Sequence, residues 1–260
     1  MRSDWREPVR APRAALRVFG AALGALTVVP TSLWAQDAPA RARYWFPPAV
    51  SSYGGKVDHL FMVVLWITGI IFFLVEGALL YFLIRYRRRE GQPASYIHGH
   101  TGVEVIWTVV PAIIVVMLAF SSQRVWSYIQ GPPPPHQLEI EVKAEQFAWN
   151  IRYAGADGQL NTADDIETIN QLHLPVNQVV LVHVTSKDVI HSFFLPQFRI
   201  KRDAVPGLNT SIWLQPITEG HFEIVCAELC GLGHYRMRGF VVIESPEAFR
   251  AWLEQTKRAG

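Results

Sequence analysis

Along this chain the hydrophobic positions form two long blocks and then many short alternating runs. Leu60–Ile84 is nearly continuous apolar sequence, interrupted by Glu76. At about 1.5 Å per residue, a helix of that length spans the roughly 30 Å hydrocarbon core of a bilayer. Val103–Phe120 is a second, shorter block. Both predict membrane-crossing helices. Arg85, Arg87, Arg88 and Arg89 follow the first block, and clustered arginines stay on the cytoplasmic side. The predicted path is outside, in, outside, with Trp107 and Trp126 as interface anchors.

Gly131-Pro132-Pro133-Pro134-Pro135 is a stiff spacer. Beyond it, Leu138–Ile151, Val179–Thr185, Ser211–Leu214, Phe222–Val225 and Gly239–Ile243 read as strands. Turn signals such as Asp157-Gly158 and Pro206-Gly207 separate them. Short strands at these intervals predict an antiparallel sandwich or barrel. Pro246–Lys257 reads as an amphipathic closing helix. The expected plan is a signal peptide over 1–35, a two-helix anchor over 57–121, a Pro-rich linker over 122–137, a β-domain over 138–245 and a helical tail over 246–260.

Charge sharpens this picture. Residues 136–245 hold 8 Lys and Arg against 13 Asp and Glu, a net of −5, so the remainder carries +7. A mildly acidic domain on a basic anchor argues against nucleic acid and fits a basic protein partner. At the N-terminus, Arg10, Arg13 and Arg17 precede an apolar run from Val18 to Val29. That pattern reads as a secretory signal, with cleavage expected after Ala35. Asp157-Gly158-Gln159-Leu160-Asn161-Thr162-Ala163-Asp164-Asp165 lacks the order of a calcium loop and reads as a hairpin loop.

The chemistry is concentrated near the C-terminus, in Cys226-Ala227-Glu228-Leu229-Cys230-Gly231-Leu232-Gly233-His234-Tyr235-Arg236-Met237, with His191 upstream. These are the chain's two cysteines. Two thiolates, two imidazoles and a thioether suit copper better than harder ions, and two cysteines can bridge a pair of metals. A disulfide is the alternative for copper-free protein outside the cytoplasm, and a zinc site is a further one.

The spacing Cys226-x3-Cys230-x3-His234-x2-Met237 resembles the copper A centre of cytochrome c oxidase subunit II. So do Ser186-Lys187-Asp188-Val189-Ile190-His191-Ser192-Phe193, Lys201-Arg202-Asp203-Ala204-Val205-Pro206-Gly207 and Val103-Glu104-Val105-Ile106-Trp107-Thr108-Val109-Val110-Pro111. The resemblance covers most of the chain. It implies two transmembrane α-helices followed by an all-β, cupredoxin-like Greek-key sandwich. It also implies that Cys226 and Cys230 bridge two coppers while His191 and His234 each cap one. Met237 would be a weak axial ligand, with the Glu228 carbonyl as its counterpart. The Glu228 carboxylate would share a magnesium or manganese ion with subunit I, with Asp203 nearby.

The same resemblance makes Glu104 the mouth of a proton pathway, although Thr101-x-x-Glu104 also fits a capping box. Glu76, inside the first span, is expected to be neutral, paired or turned toward a protein neighbour, through a contact with the catalytic subunit or a helix–helix hydrogen bond. Where many members carry a tryptophan as electron port, this chain reads Glu145-Gln146-Phe147-Ala148-Trp149. Two residues apart on one strand, Phe147 and Trp149 are expected to share a face, and Phe147, Trp149 or both to receive electrons, with a core position as the alternative for Trp149.

The implied protein is a multi-pass subunit in a bacterial-type plasma membrane, its copper domain on the periplasmic side. Its partners would be the haem-bearing oxidase subunit I, the other oxidase subunits, a c-type cytochrome donor and the lipid bilayer. It would act as part of an oxidoreductase in which subunit I reduces dioxygen. A copper A subunit of a nitric oxide reductase and a membrane-tethered cupredoxin carrying electrons or copper are the alternatives.

Overall fold

The computed structural model describes residues 46–259, apart from 94, 95, 97, 137 and 156. The expected signal segment lies outside the described residues. Helix α1 (Gly54–Arg85) and helix α2 (Thr101–Gln130) are long and apolar enough to cross a membrane. Their apolar side chains are exposed all round, as at Phe72, Phe73 and Leu74 on α1 and Val115, Val116 and Met117 on α2. A helix apolar on every side needs lipid or other protein around it. Glu76 is exposed in the isolated chain.

The second helix runs to Gln130, well past residue 121, so the Pro-rich linker begins only at Gly131. At its start the cap is His100 rather than Thr101. His100 Nδ1 accepts from the Val103 N–H at 3.3 Å, and Glu104 Oε1 accepts from the His100 N–H at 3.1 Å. The reciprocal capping logic holds, one residue earlier than expected.

Ten strands follow: β1 (Leu138–Glu145), β2 (Ala148–Tyr153), β3 (Ile166–Ile169), β4 (Gln171–Pro175), β5 (Val180–Ser186), β6 (His191–Leu195), β7 (Ile200–Ala204), β8 (Thr210–Leu214), β9 (Gly220–Cys226) and β10 (Arg238–Glu244). They form two five-stranded sheets ordered β3-β2-β1-β5-β8 and β4-β10-β9-β6-β7. The crossovers make this a cupredoxin-like Greek-key sandwich. It is not wholly antiparallel, because β1 pairs β5 and β4 pairs β10 in parallel. The segment Leu138–Ile151, expected as one strand, is a hairpin in which Glu145 pairs Ala148 across Gln146 and Phe147.

Alternation fixes the core. Along β5 the pattern is strictly buried and half-buried in turn, as a strand with one face inward requires. Trp149, Tyr153, Phe193, Phe198, Leu172 and Leu174 fill the space between the sheets. Helix α3 (Pro246–Ala259) closes one end, with Trp252 stacked on His173 at 3.8 Å between ring centroids.

The sandwich is fastened to both outer helix ends. Before α1, Val50 and Tyr53 are buried and the backbone bonds to the domain, Ile217 N–H to Val50 O at 2.8 Å and Val50 N–H to Gln197 O at 2.9 Å. Arg199 grips Asp58 on α1 through two hydrogen bonds of 2.7 and 3.1 Å. At the end of α2, Trp213 Nε1 donates to Ile129 O at 3.0 Å and its ring meets Tyr128 edge-on.

Candidate metal centre

Strand β9 ends at Cys226, and the chain then leaves the sheet and returns through a short 3-10 turn, His234–Arg236, to β10. His191 opens β6 beside it, where Phe193 pairs Cys226. Two backbone bonds set the base of the loop: Ala227 N–H to Ser192 O at 3.0 Å and Cys226 N–H to Met237 O at 3.2 Å. One short loop and one strand start therefore bring all the sequence-predicted donors to one rim of the sandwich.

The sulfurs of Cys226 and Cys230 lie 3.8 Å apart, far beyond the roughly 2.05 Å of a disulfide. Each imidazole meets a different sulfur. His191 Nδ1 is 4.0 Å from Cys226 Sγ, and His234 Nδ1 is 3.7 Å from Cys230 Sγ. Met237 Sδ is 3.7 Å from Cys230 Sγ, while the Glu228 carbonyl oxygen lies 3.2 Å from Cys226 Sγ. His191, Cys226 and Cys230 form a compact group able to hold a metal ion. With thiolate–metal bonds of about 2.3 Å, the 3.8 Å sulfur separation lets one ion touch both sulfurs. The donor set is soft, with nitrogen caps, and it fits copper.

Around these atoms the polarity is arranged in layers. His191, Cys230 and Met237 are buried, Cys226 and His234 are half-buried, and Glu228 is exposed. His191 Nε2 sits 2.8 Å from Asp188 Oδ1. With Nε2–H donating to that carboxylate, the Nδ1 lone pair faces the sulfurs, the orientation a metal-binding histidine needs. Burial raises the Asp188 carboxyl, but hydrogen bonds from His191 and from the Gln146 and Val189 N–H groups outweigh it and hold it at about 2. Burial, together with the neighbouring Cys226, pushes the Cys230 thiol up to about 11. A bound cation offsets that cost, which is why metal binding and thiol deprotonation are coupled.

The aromatic pair divides. Phe147 is 39% exposed and lies over the metal loop, whereas Trp149 is fully buried. Trp149 packs edge-on against Phe193 and His191 at 5.4 and 6.2 Å. The expected shared face is corrected: the hairpin turn interrupts the alternation, so Phe147 is exposed while Trp149 takes the core position. Asp203 accepts from Ser192 Oγ at 2.7 Å and Lys201 Nζ at 3.1 Å, which lowers its pKa. Through Ser192 it supports the base of the loop.

Two groups at the site escaped sequence reasoning. Asp188, three residues before His191, had a findable signal in that spacing. Gln146, whose side-chain amide donates to Cys230 O at 2.5 Å, had none.

A helical hairpin bearing a cupredoxin-like sandwich, with a soft-metal loop at its rim, defines a membrane-anchored cupredoxin of the metal-binding class. Comparison narrows this further. The family profile described as cytochrome c oxidase subunit II, transmembrane domain, matches residues 39–125, and that of its periplasmic domain matches 115–245. The alternative cytochrome c oxidase subunit 2 of Bradyrhizobium diazoefficiens is 33% identical, over 82% of this chain and 84% of that one. Cytochrome c oxidase subunit 2 of Cereibacter sphaeroides is 30% identical, over 82% and 80% respectively. Among solved structures, the periplasmic domain of subunit II of cytochrome oxidase of Bradyrhizobium japonicum aligns with a TM-score of 0.44 at 29% identity, covering 49% of this chain and 99% of that one.

The chain belongs to the cytochrome c oxidase subunit II family. It is a subunit of a haem–copper oxidase, an oxidoreductase complex, and a membrane protein with an outer domain that works beside other oxidase subunits.

Proposed function

We propose that this chain receives electrons from a c-type cytochrome at a binuclear copper centre and passes them to haem in subunit I, where dioxygen is reduced. Cys226 and Cys230 would bridge the two coppers, His191 and His234 would cap them, and Met237 and the Glu228 carbonyl would complete the set. The observation that carries this reading is the pairing of each imidazole with a different cysteine around one sulfur pair. When bound, the copper pair supplies a site that takes up and releases one electron with little rearrangement.

The chain's own residues supply rigidity and access. Asp188 orients His191, and the two backbone bonds at Cys226 and Ala227 fix the loop's base. The half-exposed ring of Phe147, packed over the loop glycines, supports its role as electron port. The exposed Glu228 carboxylate supports a magnesium or manganese ion shared with subunit I, since hard ions need oxygen ligands and this chain offers few. Glu104, in the first turn of α2, serves as proton entrance as well as cap. We read the membrane as a bacterial plasma membrane, with the sandwich on its periplasmic side and residues 1–35 as the signal that sends it there.

Electron paramagnetic resonance of the copper-loaded full chain in detergent tests this. One electron shared by two copper nuclei gives a seven-line hyperfine pattern with two coppers per chain. A four-line pattern with one copper per chain overturns the binuclear reading.

A further inference from the structure

The turn between β1 and β2 belongs to the sheet opposite the metal loop, yet it touches both ligand-bearing segments. The Gln146 side-chain amide donates to Cys230 O at 2.5 Å. The backbone N–H of the same residue donates to Asp188 Oδ2 at 2.7 Å, and Asp188 Oδ1 meets His191 Nε2 at 2.8 Å. One residue thus connects a bridging cysteine to a capping histidine through two short links.

Beyond its base the loop is held to itself: His234 N–H donates to Gly231 O at 3.1 Å and Arg236 N–H to Gly233 O at 2.9 Å. Pairing between β6 and β9 stops at Cys226, and the tip beyond it stands out, with Leu232 98% exposed. Gly231 has φ +136°, and a Cβ there would lie 2.7 Å from Gln146 Nε2. A bare backbone at this point is what admits the amide to the Cys230 carbonyl. The Phe147 ring lies against Gly231 and Gly233, beside this part-buried bond.

We infer that Gln146 is a positioning residue for the metal centre: by pinning the Cys230 carbonyl against the Asp188–His191 pair, it fixes the spacing between bridging sulfur and capping imidazole. It touches no metal and acts through Cys230. Its consequence for copper rests on the reading above, whereas the brace itself does not.

Gln146→Met in the full chain in detergent keeps the side-chain length but removes the donor. In reduced, copper-free protein, modification of the loop cysteines by a thiol reagent should speed about tenfold. In copper-loaded protein, transfer of copper to a chelator should speed about 10–100-fold, the usual cost of losing an outer partner of a metal ligand. Gln146→Glu, which turns the donor into an acceptor, should behave alike and serves if the methionine variant does not fold. Wild-type values in both measurements overturn the inference, and so does slower reduction by cytochrome with both unchanged, which would make Gln146 a docking contact. Should wild-type protein hold fewer than two coppers, the functional reading fails while the thiol measurement still decides the brace.

Discussion

Phe147 occupies the space that a side chain on residue 233 would need: a Cβ on Gly233 would come within 2.5 Å of the phenyl ring. Phe147, the proposed electron port, and the metal loop are therefore packed as one unit, and glycine is the residue that lets them meet. Gly233→Ala should lift the ring or shift the loop. Reduction of the centre by a c-type cytochrome, followed by stopped flow, should slow on the order of tenfold, since small misplacements are costly in electron and group transfer alike. Phe147→Ala should slow the same step while copper content stays whole. An unchanged rate in both variants would place the port elsewhere.

Salt should slow that reaction only modestly. Exposed charges steer encounter and are screened, but Arg152 already clasps Glu141, Asp165 and Glu167 at 2.9, 3.4 and 2.6 Å. The acidic loop is thus less negative than its composition. A steep fall in rate with ionic strength would show that other acids on the domain dominate docking.

Cys226→Ser or Cys230→Ser should abolish the centre, read as loss of copper and of its visible absorption. Met237→Leu, buried at nearly constant volume, should keep both coppers and shift the reduction potential, the property an axial thioether tunes. Copper loss in the leucine variant would mean that the thioether holds metal rather than tuning it.

Glu104→Ala in the assembled oxidase should leave reduction of the copper centre fast and slow reduction of the catalytic site. Full turnover with an intact complex would leave Glu104 its capping bond to His100 alone.

Stability should carry one acid-sensitive contact away from the metal. Glu139 Oε2 meets His183 Nε2 at 3.0 Å and Oε1 meets His136 Nε2 at 3.2 Å. The bond from His183 chiefly holds the carboxyl below its ordinary value of 4.5. A depressed pKa gives stability that is complete above 4.5 and lost as pH falls through the lower folded value. The pair is exposed, so the loss should be small, about 0.2–1 kcal/mol. Melting of wild type and Glu139→Gln should converge as pH drops below that range, and a constant gap would refute the contact.

How much of this was legible in the chain differs by element. The helices were, because an apolar run long enough to span lipid has few other readings. The donor spacing was, because Cys226, Cys230, His234 and Met237 lie within one loop. Strands β6 and β7 were not. His191–Leu195 is buried almost throughout and so lacks alternation, while Ile200–Ala204 is a charged edge strand. The β1–β2 hairpin was hidden because apolar residues continue through its turn, and Trp149 was misplaced with it. Gln146 was invisible for a simpler reason: its partner stands 84 residues away, and a backbone carbonyl leaves no mark in sequence.

The fastening of the sandwich at both outer helix ends has a mechanical consequence. A domain hung from one linker can swing, and its metal samples many heights above the lipid. Here the chain is gripped where it enters the bilayer, at Val50, Tyr53 and Asp58, and again where it leaves, at Tyr128 and Ile129. Two separated points of attachment define a hinge axis, and packing along the Trp213 side resists rotation about it. The rim carrying Cys226 and Cys230 is held at a set altitude and tilt, like a fixed terminal rather than a moving contact. If the rim passes electrons on as proposed, then, because tunnelling falls off steeply with distance, that constancy would turn the geometry of two helix ends into a constraint on the timing of every electron that leaves.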